Sequence, residues 1–363
     1  MSSVSCTWRR QRHSNGILAM GFQLCILVSC YTIARAKMSS VPAVFAFGDS
    51  IVDSGNNNHL PLTFIKANFP PNGKDFEGRK ATGRFCNGRL PTDFLAEKLG
   101  VKKYLPAYLD NSIEEEDLVT GVSFASAGSG YDNMTASLVL TRSLEHQLEW
   151  FKEYRGKMNK IVGVERTDFI ISNSVYFIVT GSCDLANTYF TFPFRRMFQD
   201  ADSYTDTMLH GANTFVKLLY EMGARKIAVS NVPPLGYLPI QRTLRGGLTR
   251  QCPRYSNEAV QLFNNKLESS LRNLSAQLHD SSLLYLDTYN FFLDLVVNST
   301  KYGFEVVDRG CCGSGLVEAG PLCNVFTLTC KRKYLFWDSF HPSEAAYELI
   351  ASRTIETYFP HFS

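Results

Sequence analysis

The 363 residues carry 45% hydrophobic, 13% aromatic and 20% charged side chains. That is enough apolar material for a sizeable core, and it excludes a disordered tail, a collagen-like rod or a minimal disulfide scaffold. Basic residues number 37 and acidic residues 34, but Arg9, Arg10, Arg12 and Arg35 fall within the first 36 residues, which hold no acid, so the remainder counts 33 against 34. A near-neutral body lacks the basic face of a nucleic-acid binder, and no nucleic-acid partner is expected.

The first 36 residues have the three parts of a secretory signal. Arg9, Arg10 and Arg12 form a positive start, residues 17–33 an apolar run, and Ala34-Arg35-Ala36 a small-residue cleavage site. Seventeen residues is short for ~30 Å of hydrocarbon. Residues 1–36 are therefore expected to be removed, leaving 37–363 as one domain with no transmembrane segment and an extracellular address.

Along that body, apolar runs recur at residues 43–47, 119–125, 175–180, 226–232 and 283–286, and each reads as a buried strand. The acidic stretch 114–117 reads as a solvated loop. Met208, Ala212, Phe215, Leu219 and Met222 share one helical face, and Gly223 suits the end of that helix. Val260, Phe263, Leu267, Leu271, Leu274 and Leu278 form a second such stripe, and residues 344–358 are helix-like, with Pro342 placed to start them. Continuous apolar strands alternating with amphipathic helices predict a doubly wound α/β domain with about five parallel strands. Ligands bind such sheets beyond the carboxyl ends of the strands.

Ten cysteines are present, of which Cys6, Cys25 and Cys30 belong to the leader. Cys86, Cys252, Cys311, Cys312, Cys323 and Cys330 are expected to form three disulfides of unspecified pairing, with Cys183 left as a thiol. No C-x-x-C spacing suggests zinc. Asn133, Asn273 and Asn298 open N-x-S/T sequons, candidate glycosylation sites on a secreted chain.

The first strand runs into Gly48-Asp49-Ser50. Alone, Ser50 reads as a helix cap, because a serine hydroxyl needs a base within hydrogen-bond reach to act as a nucleophile. The far end of the chain supplies one. In Trp337-Asp338-Ser339-Phe340-His341-Pro342, an Asp three residues before a His can accept the imidazole Nδ1–H and leave Nε2 free to take a proton. No G-x-S-x-G motif is present, which excludes the α/β-hydrolase elbow.

With these motifs the chain resembles the GDSL-type esterases and lipases of the SGNH hydrolase superfamily, in their secreted plant form. The likeness rests on residues 47–58 (FGDSIVDSGNNN), 83–88 (GRFCNG), 123–130 (SFASAGSG), 181–184 (GSCD), 232–236 (VPPLG), 311–313 (CCG) and 337–342 (WDSFHP). The form of residues 83–88 and Tyr189-Phe190 are most similar to the subgroup called extracellular lipases. The resemblance implies a flavodoxin-like three-layer α/β/α sandwich and hydrolysis of acyl-lipid-like carboxylic esters through an acyl-serine, with no metal or cofactor. It implies Ser50 as nucleophile and first oxyanion donor, His341 as base, Asp338 as the carboxylate orienting it, and Gly128 as the second oxyanion donor. The family's third donor is an Asn in G-x-N-D, where this chain has Cys183. A thiol is a weak donor, so a slow enzyme is expected. The same residues would also serve an acyltransferase, or a weakened relative that only binds lipid esters.

Overall fold

Uninterrupted apolar runs form a parallel sheet. In the computed structural model, which describes residues 41–330 and 333–362, strands β1 (Val44–Gly48), β2 (Val175–Val179), β3 (Lys226–Ser230) and β4 (Ser282–Leu286) lie side by side in that order, all parallel. The leader expected at 1–36 lies outside the described residues. Val41–Ser363 forms one compact unit.

Both faces of the sheet are covered, which is why the strands are apolar throughout rather than alternating. Phe45, Phe47, Tyr176, Ile178, Ile227 and Val229 point to one face. They pack against helices α2 (Leu144–Ile161), α3 (Val164–Asn173), α4 (Ala201–Glu221) and α5 (Arg254–Gln277). Val44, Ala46, Val175, Phe177 and Ala228 point to the other face. There they meet α1 (Pro91–Lys98) and α7 (Glu344–Tyr358). Helix α6 (Thr288–Val297) follows β4. The expected stripes on α4 and α5 are buried except for Met222, which is half-buried at the C-cap of α4, and Gly223, at φ +108°, follows it. The layers are those of the expected three-layer sandwich.

The segment expected as a second strand, residues 119–125, runs parallel beside β1 without becoming a regular strand. Val44 and Ala46 donate to Thr120 and Val122 at 3.2 and 3.3 Å, and Phe124 and Ser126 donate back to Ala46 and Gly48 at 2.8 and 3.0 Å. Its outer edge takes other partners: Asn56 Nδ2 donates to the carbonyls of Ser123 and Ala125, and Ser123 also bridges to Ala107. Counting this edge, the order is 2-1-3-4-5, and the crevice at the reversal opens at the carboxyl end of β1.

Several expectations are corrected. Residues of the acidic stretch start a short helix, Glu115–Val119, because Leu118 is buried and its carbonyl accepts from the Tyr154 hydroxyl. A separate parallel pair, β5 (Val306–Gly310) and β6 (Tyr334–Phe336), was not anticipated. Ser343, not Pro342, occupies the N-cap of α7; Pro342 instead bridges to Phe336. Among the described residues two disulfides form rather than three: Cys311–Cys330 and Cys312–Cys323 staple the loop between β5 and β6. Cys86 and Cys252 stay thiols with Cys183. Cys86 is enclosed in the core beside α1 and α7, while Cys252 lies against Arg242, so neither meets a partner sulfur. Among the described residues no helix is long and apolar enough to cross a membrane.

Candidate active site

Ser50 sits in a tight turn directly after β1, not at the start of a helix. Gly48 makes that exit possible: its φ is +136°, and a Cβ there would lie 1.9 Å from the Val179 carbonyl oxygen. Asp49 then donates its N–H to the same carbonyl at 3.0 Å. The Gln147 side chain of α2 holds Gly48 from the opposite side, accepting its N–H and donating to its C=O.

The rest of the GDSIVDSGNNN run ties this turn to the loop carrying Gly128. Asp53 accepts from Gly55, Asn56 and Ala127 at 2.8, 2.7 and 3.0 Å. Asn57 donates to the carbonyls of Ile65 and Ala127 and accepts from the Ser126 hydroxyl. Gly128, at φ +88°, then turns its N–H toward the Cys183 sulfur.

From the other end of the chain, the loop after β6 brings Asp338 and His341 to Ser50. Asp338 Oδ1 accepts the N–H groups of Phe340 and His341 at 2.8 and 2.7 Å, which folds the loop back on itself. His341 Nδ1 lies 2.9 and 2.7 Å from the two Asp338 oxygens, and its Nε2 lies 2.8 Å from Ser50 Oγ. This arrangement matches the tautomer with the proton on Nδ1 and Nε2 accepting from the serine hydroxyl. Asp338 is almost fully buried, whereas Ser50 and His341 keep 8% and 7% of their surface. Phe85 packs against the imidazole with ring centres 5.2 Å apart, and Phe340 does so at 6.2 Å. The buried Trp337 indole anchors the loop by donating to Asn72 at 2.9 Å.

Cys183 lies half-buried between β2 and a π-helical turn, Asp184–Thr191. Burial pushes its thiol up, the carboxylates of Asp49 and Asp184 push it further, and Gly128 N–H opposes them. The sulfur therefore stays protonated at neutral pH and is a poor nucleophile. Asp184 itself is buried and accepts from Tyr131 N–H, Asp132 N–H and the Thr135 hydroxyl at 2.9, 3.0 and 2.7 Å. Its carboxylate clamps the turn bearing Cys183 to the loop that follows Gly128. Burial raises Asp184 to about 7, against the hydrogen bonds it accepts. Asp49, next to Ser50, is raised to about 7 by burial as well, partly offset by Ile51 N–H and by His341.

Beside Ser50 an apolar cavity of about 110 Å³ opens. It runs from Ser50, His341 and Cys183 past Val179 and Pro233 toward Leu286 and the inner face of α7 at Ile350 and Ala351. Three lining residues carry a buried polar atom without a hydrogen-bond partner: Asp49 Oδ2, Thr92 Oγ1 and the Tyr347 hydroxyl. The wall is thus greasy with a few polar points, a shape suited to an acyl chain. Among the described residues no cluster of His, Cys, Asp and Glu is arranged to hold a metal ion.

The structure thus brings together Ser50, Asp338, His341, Gly128 and Cys183. Asn133, Asn273 and Asn298 are all exposed and lie apart from this group. Gln147 and Phe85 were missed. A glutamine in the buried stripe Leu144, Leu148, Phe151 of α2 was the available signal for the first. Phe85 was legible only as part of a motif.

The geometry agrees with comparisons to known proteins. The GDSL esterase/lipase At1g20120 of Arabidopsis thaliana is 48% identical over 328 residues, spanning 90% of this chain and 81% of the relative. The GDSL esterase/lipases EXL3 and EXL2 of the same plant are each 44% identical, over 99% and 93% of this chain and 98% and 94% of theirs. The family described as GDSL-like Lipase/Acylhydrolase matches residues 44–354, from the first residue of β1 to the last turns of α7. A serine presented at the end of the first strand and a histidine delivered from just before the last helix are thus held in one chain that belongs to the GDSL-like lipase/acylhydrolase family.

Proposed function

We propose that this protein is a secreted serine esterase that hydrolyses acyl-lipid-like carboxylic esters through an acyl-serine intermediate. Ester hydrolysis follows from its family and from relatives named GDSL esterase/lipase. The mechanism rests on one observation above all: the unbroken hydrogen-bond chain Asp338–His341–Ser50 at the mouth of an apolar cavity.

In this reading Ser50 Oγ attacks the ester carbonyl carbon as its proton passes to His341 Nε2. Asp338 holds Nδ1–H and stabilises the imidazolium without taking its proton. The carbonyl oxygen becomes an oxyanion facing the N–H groups of Ser50 and Gly128. When the tetrahedral intermediate collapses, the C–O bond to the alcohol breaks and His341 returns the proton to the departing oxygen. Water then repeats the sequence on the acyl-serine and regenerates Ser50. Cys183 stands where the family's third oxyanion donor would be. Replacing an amide by a thiol there costs on the order of 10²–10³ in turnover if nothing compensates. The exposed sequons and the two disulfides support an oxidising, extracellular destination.

The test is turnover of p-nitrophenyl esters of graded chain length by wild type, Ser50→Ala and His341→Ala. Loss of nearly all activity in both variants supports the reading, and retained turnover in either contradicts it. Adding an acceptor alcohol and analysing the products distinguishes hydrolysis from acyl transfer.

A further inference from the structure

We propose that a second groove, at the carboxyl ends of β3 and β4, binds a neutral oligosaccharide and so holds the protein on a glycan, apart from the chemistry at Ser50. The proposal stands without the esterase reading.

The groove has a volume of about 530 Å³ and is walled by α5, β4, the start of α6 and the end of α7. Gln261, Asn264, Asn265 and Glu268 fall at i, i+3, i+4 and i+7 of α5, so they share one helical face. A face turned to the core would be apolar there, and a merely solvated one mostly charged. This one is mostly amide. Tyr285 of β4, Tyr289 of α6 and Tyr358 of α7 line the same groove. Among the described residues no lysine, arginine or aliphatic side chain lines it.

Hydrogen bonds fix these side chains and leave free the groups that a sugar needs. The Tyr285 hydroxyl accepts from Asn231 Nδ2 at 2.8 Å, Tyr289 from Gln261 Nε2 at 3.1 Å, and Tyr358 from the Asp287 N–H at 2.8 Å. Each phenol is thereby oriented, and among the described residues none of the three donates its own proton. Gln261 and Asn290 each spend an amide N–H₂ inside the groove, on Tyr289 and Asp287, and keep their carbonyl oxygens to accept. Asn265 is exposed, and its side chain takes no partner among the described residues. Sugar hydroxyls both donate and accept, so oriented phenol donors beside free amide groups match them. The half-buried rings of Tyr285 and Tyr358 add apolar faces for the C–H side of a pyranose.

Charge disfavours the other ligand classes. Both carboxylates are engaged: Asp287 accepts from Asn231 Nδ2 and from the N–H and side-chain amide of Asn290, and Glu268 pairs with Arg272. A cation therefore finds no free carboxylate, an anion meets two negative charges and no lining base, and an acyl chain finds no aliphatic wall. The groove also lies at the sheet edge where such folds bind ligands. Asn231 lines both this groove and the acyl cavity, so a glycan held here lies against the wall of the cavity that opens at Ser50.

Isothermal titration calorimetry of the full chain with cellohexaose, xylohexaose and maltohexaose tests the proposal. At least one of the three should bind with a Kd of about 1 mM or tighter, and hexagalacturonic acid should bind more weakly than that one. Gln261→Ala with Asn265→Ala should weaken binding about tenfold. Tyr285→Phe, which keeps the ring and removes the donor, should weaken it about fivefold. Gln277→Ala, exposed at the far end of α5, should leave it unchanged. Circular dichroism and turnover of p-nitrophenyl acetate should match wild type in every variant, since none of these residues touches Ser50 or His341. Lack of binding by all three neutral sugars, unaltered affinity in the groove variants, or tighter binding of the acidic hexamer overturns the proposal. So does a hexasaccharide that inhibits ester turnover competitively and equally in wild type and groove variants, because it then binds at Ser50. Loss of turnover is not a readout here, so failure of the esterase reading would leave the calorimetry standing.

Discussion

The side-chain amide of Gln147 brackets the peptide of Gly48: its Oε1 accepts the Gly48 N–H at 2.8 Å and its Nε2 donates to the Gly48 carbonyl at 2.9 Å. Helix α2 thereby fixes the last residue of β1, two positions before Ser50. Gln147→Leu keeps the volume but leaves the Gly48 N–H without its acceptor in a buried site, at about 1–3 kcal/mol, while the Gly48 carbonyl keeps the Ser126 N–H. The expected outcome is a urea midpoint lowered accordingly, together with reduced kcat as Ser50 loses its register with His341. Gln147→Glu, which keeps an acceptor but not the donor, should lie between.

Asp184 offers a second test of how the site is held. Asp184→Asn leaves one oxygen where two served three donors, and turns an N–H₂ toward either the Tyr131 N–H or the Asp132 N–H and Thr135 hydroxyl. We expect kcat to fall about tenfold or more with KM little changed, since the loop after Gly128 is displaced while the acyl cavity is left in place. Steady-state kinetics on a soluble ester reads the split. Unchanged kcat in a folded variant would contradict the clamp.

The buried carboxyls set a pH dependence of stability. Burial raises Asp49 and Asp184 to about 7 and Asp53 to about 6, from an ordinary 3.8. An acid raised by folding binds its proton more tightly in the native state, so its contribution is complete below about pH 4 and is lost as pH rises through 6 to 7. Glu318 acts in the opposite sense, but its carboxyl is held down at about 2 by Ser314, so its contribution is lost only in stronger acid. The unfolding free energy should therefore decline from about pH 4 to pH 7, and Asp49→Asn should flatten the slope over that window. Parallel profiles for the two proteins would contradict the assignment.

Much of this was legible in the sequence because the residues in question answer to local rules. β1 to β4 are continuous apolar runs, and α4 and α5 carry clean stripes, so their burial follows from spacing. Ser50, Asp338 and His341 were legible as motifs at the two ends of the chain. What escaped is non-local. Val306–Gly310 contains Asp308 and Arg309, and it becomes a strand only because Tyr334–Phe336 lies beside it. The irregular edge beside β1 depends on Asn56 taking two of its carbonyls. Cys86 and Cys252 were counted among six disulfide cysteines because number and compartment allowed it, but the fold buries one thiol and sets the other against an arginine.

Thiol chemistry separates the roles of the cysteines. Alkylation of the unfolded, unreduced protein should label three thiols in residues 41–363, not one, if Cys86, Cys183 and Cys252 are free. Cys183→Asn should raise kcat, by roughly 10-fold to 10²-fold, with KM little altered, because a stronger donor acts on the oxyanion more than on the ground-state carbonyl. Thermal melting checks that the longer amide is accommodated. A folded Cys183→Asn protein with unchanged or lower kcat contradicts the weak-donor account.

Acylation of Ser50 is read out by intact-protein mass spectrometry of the enzyme quenched in acid during turnover of p-nitrophenyl butyrate. One added butyryl group is expected, mapped to the peptide containing Ser50, absent in Ser50→Ala and slow to form in His341→Ala. An acyl group mapped to Cys183, or undiminished turnover by Ser50→Ala, would contradict it.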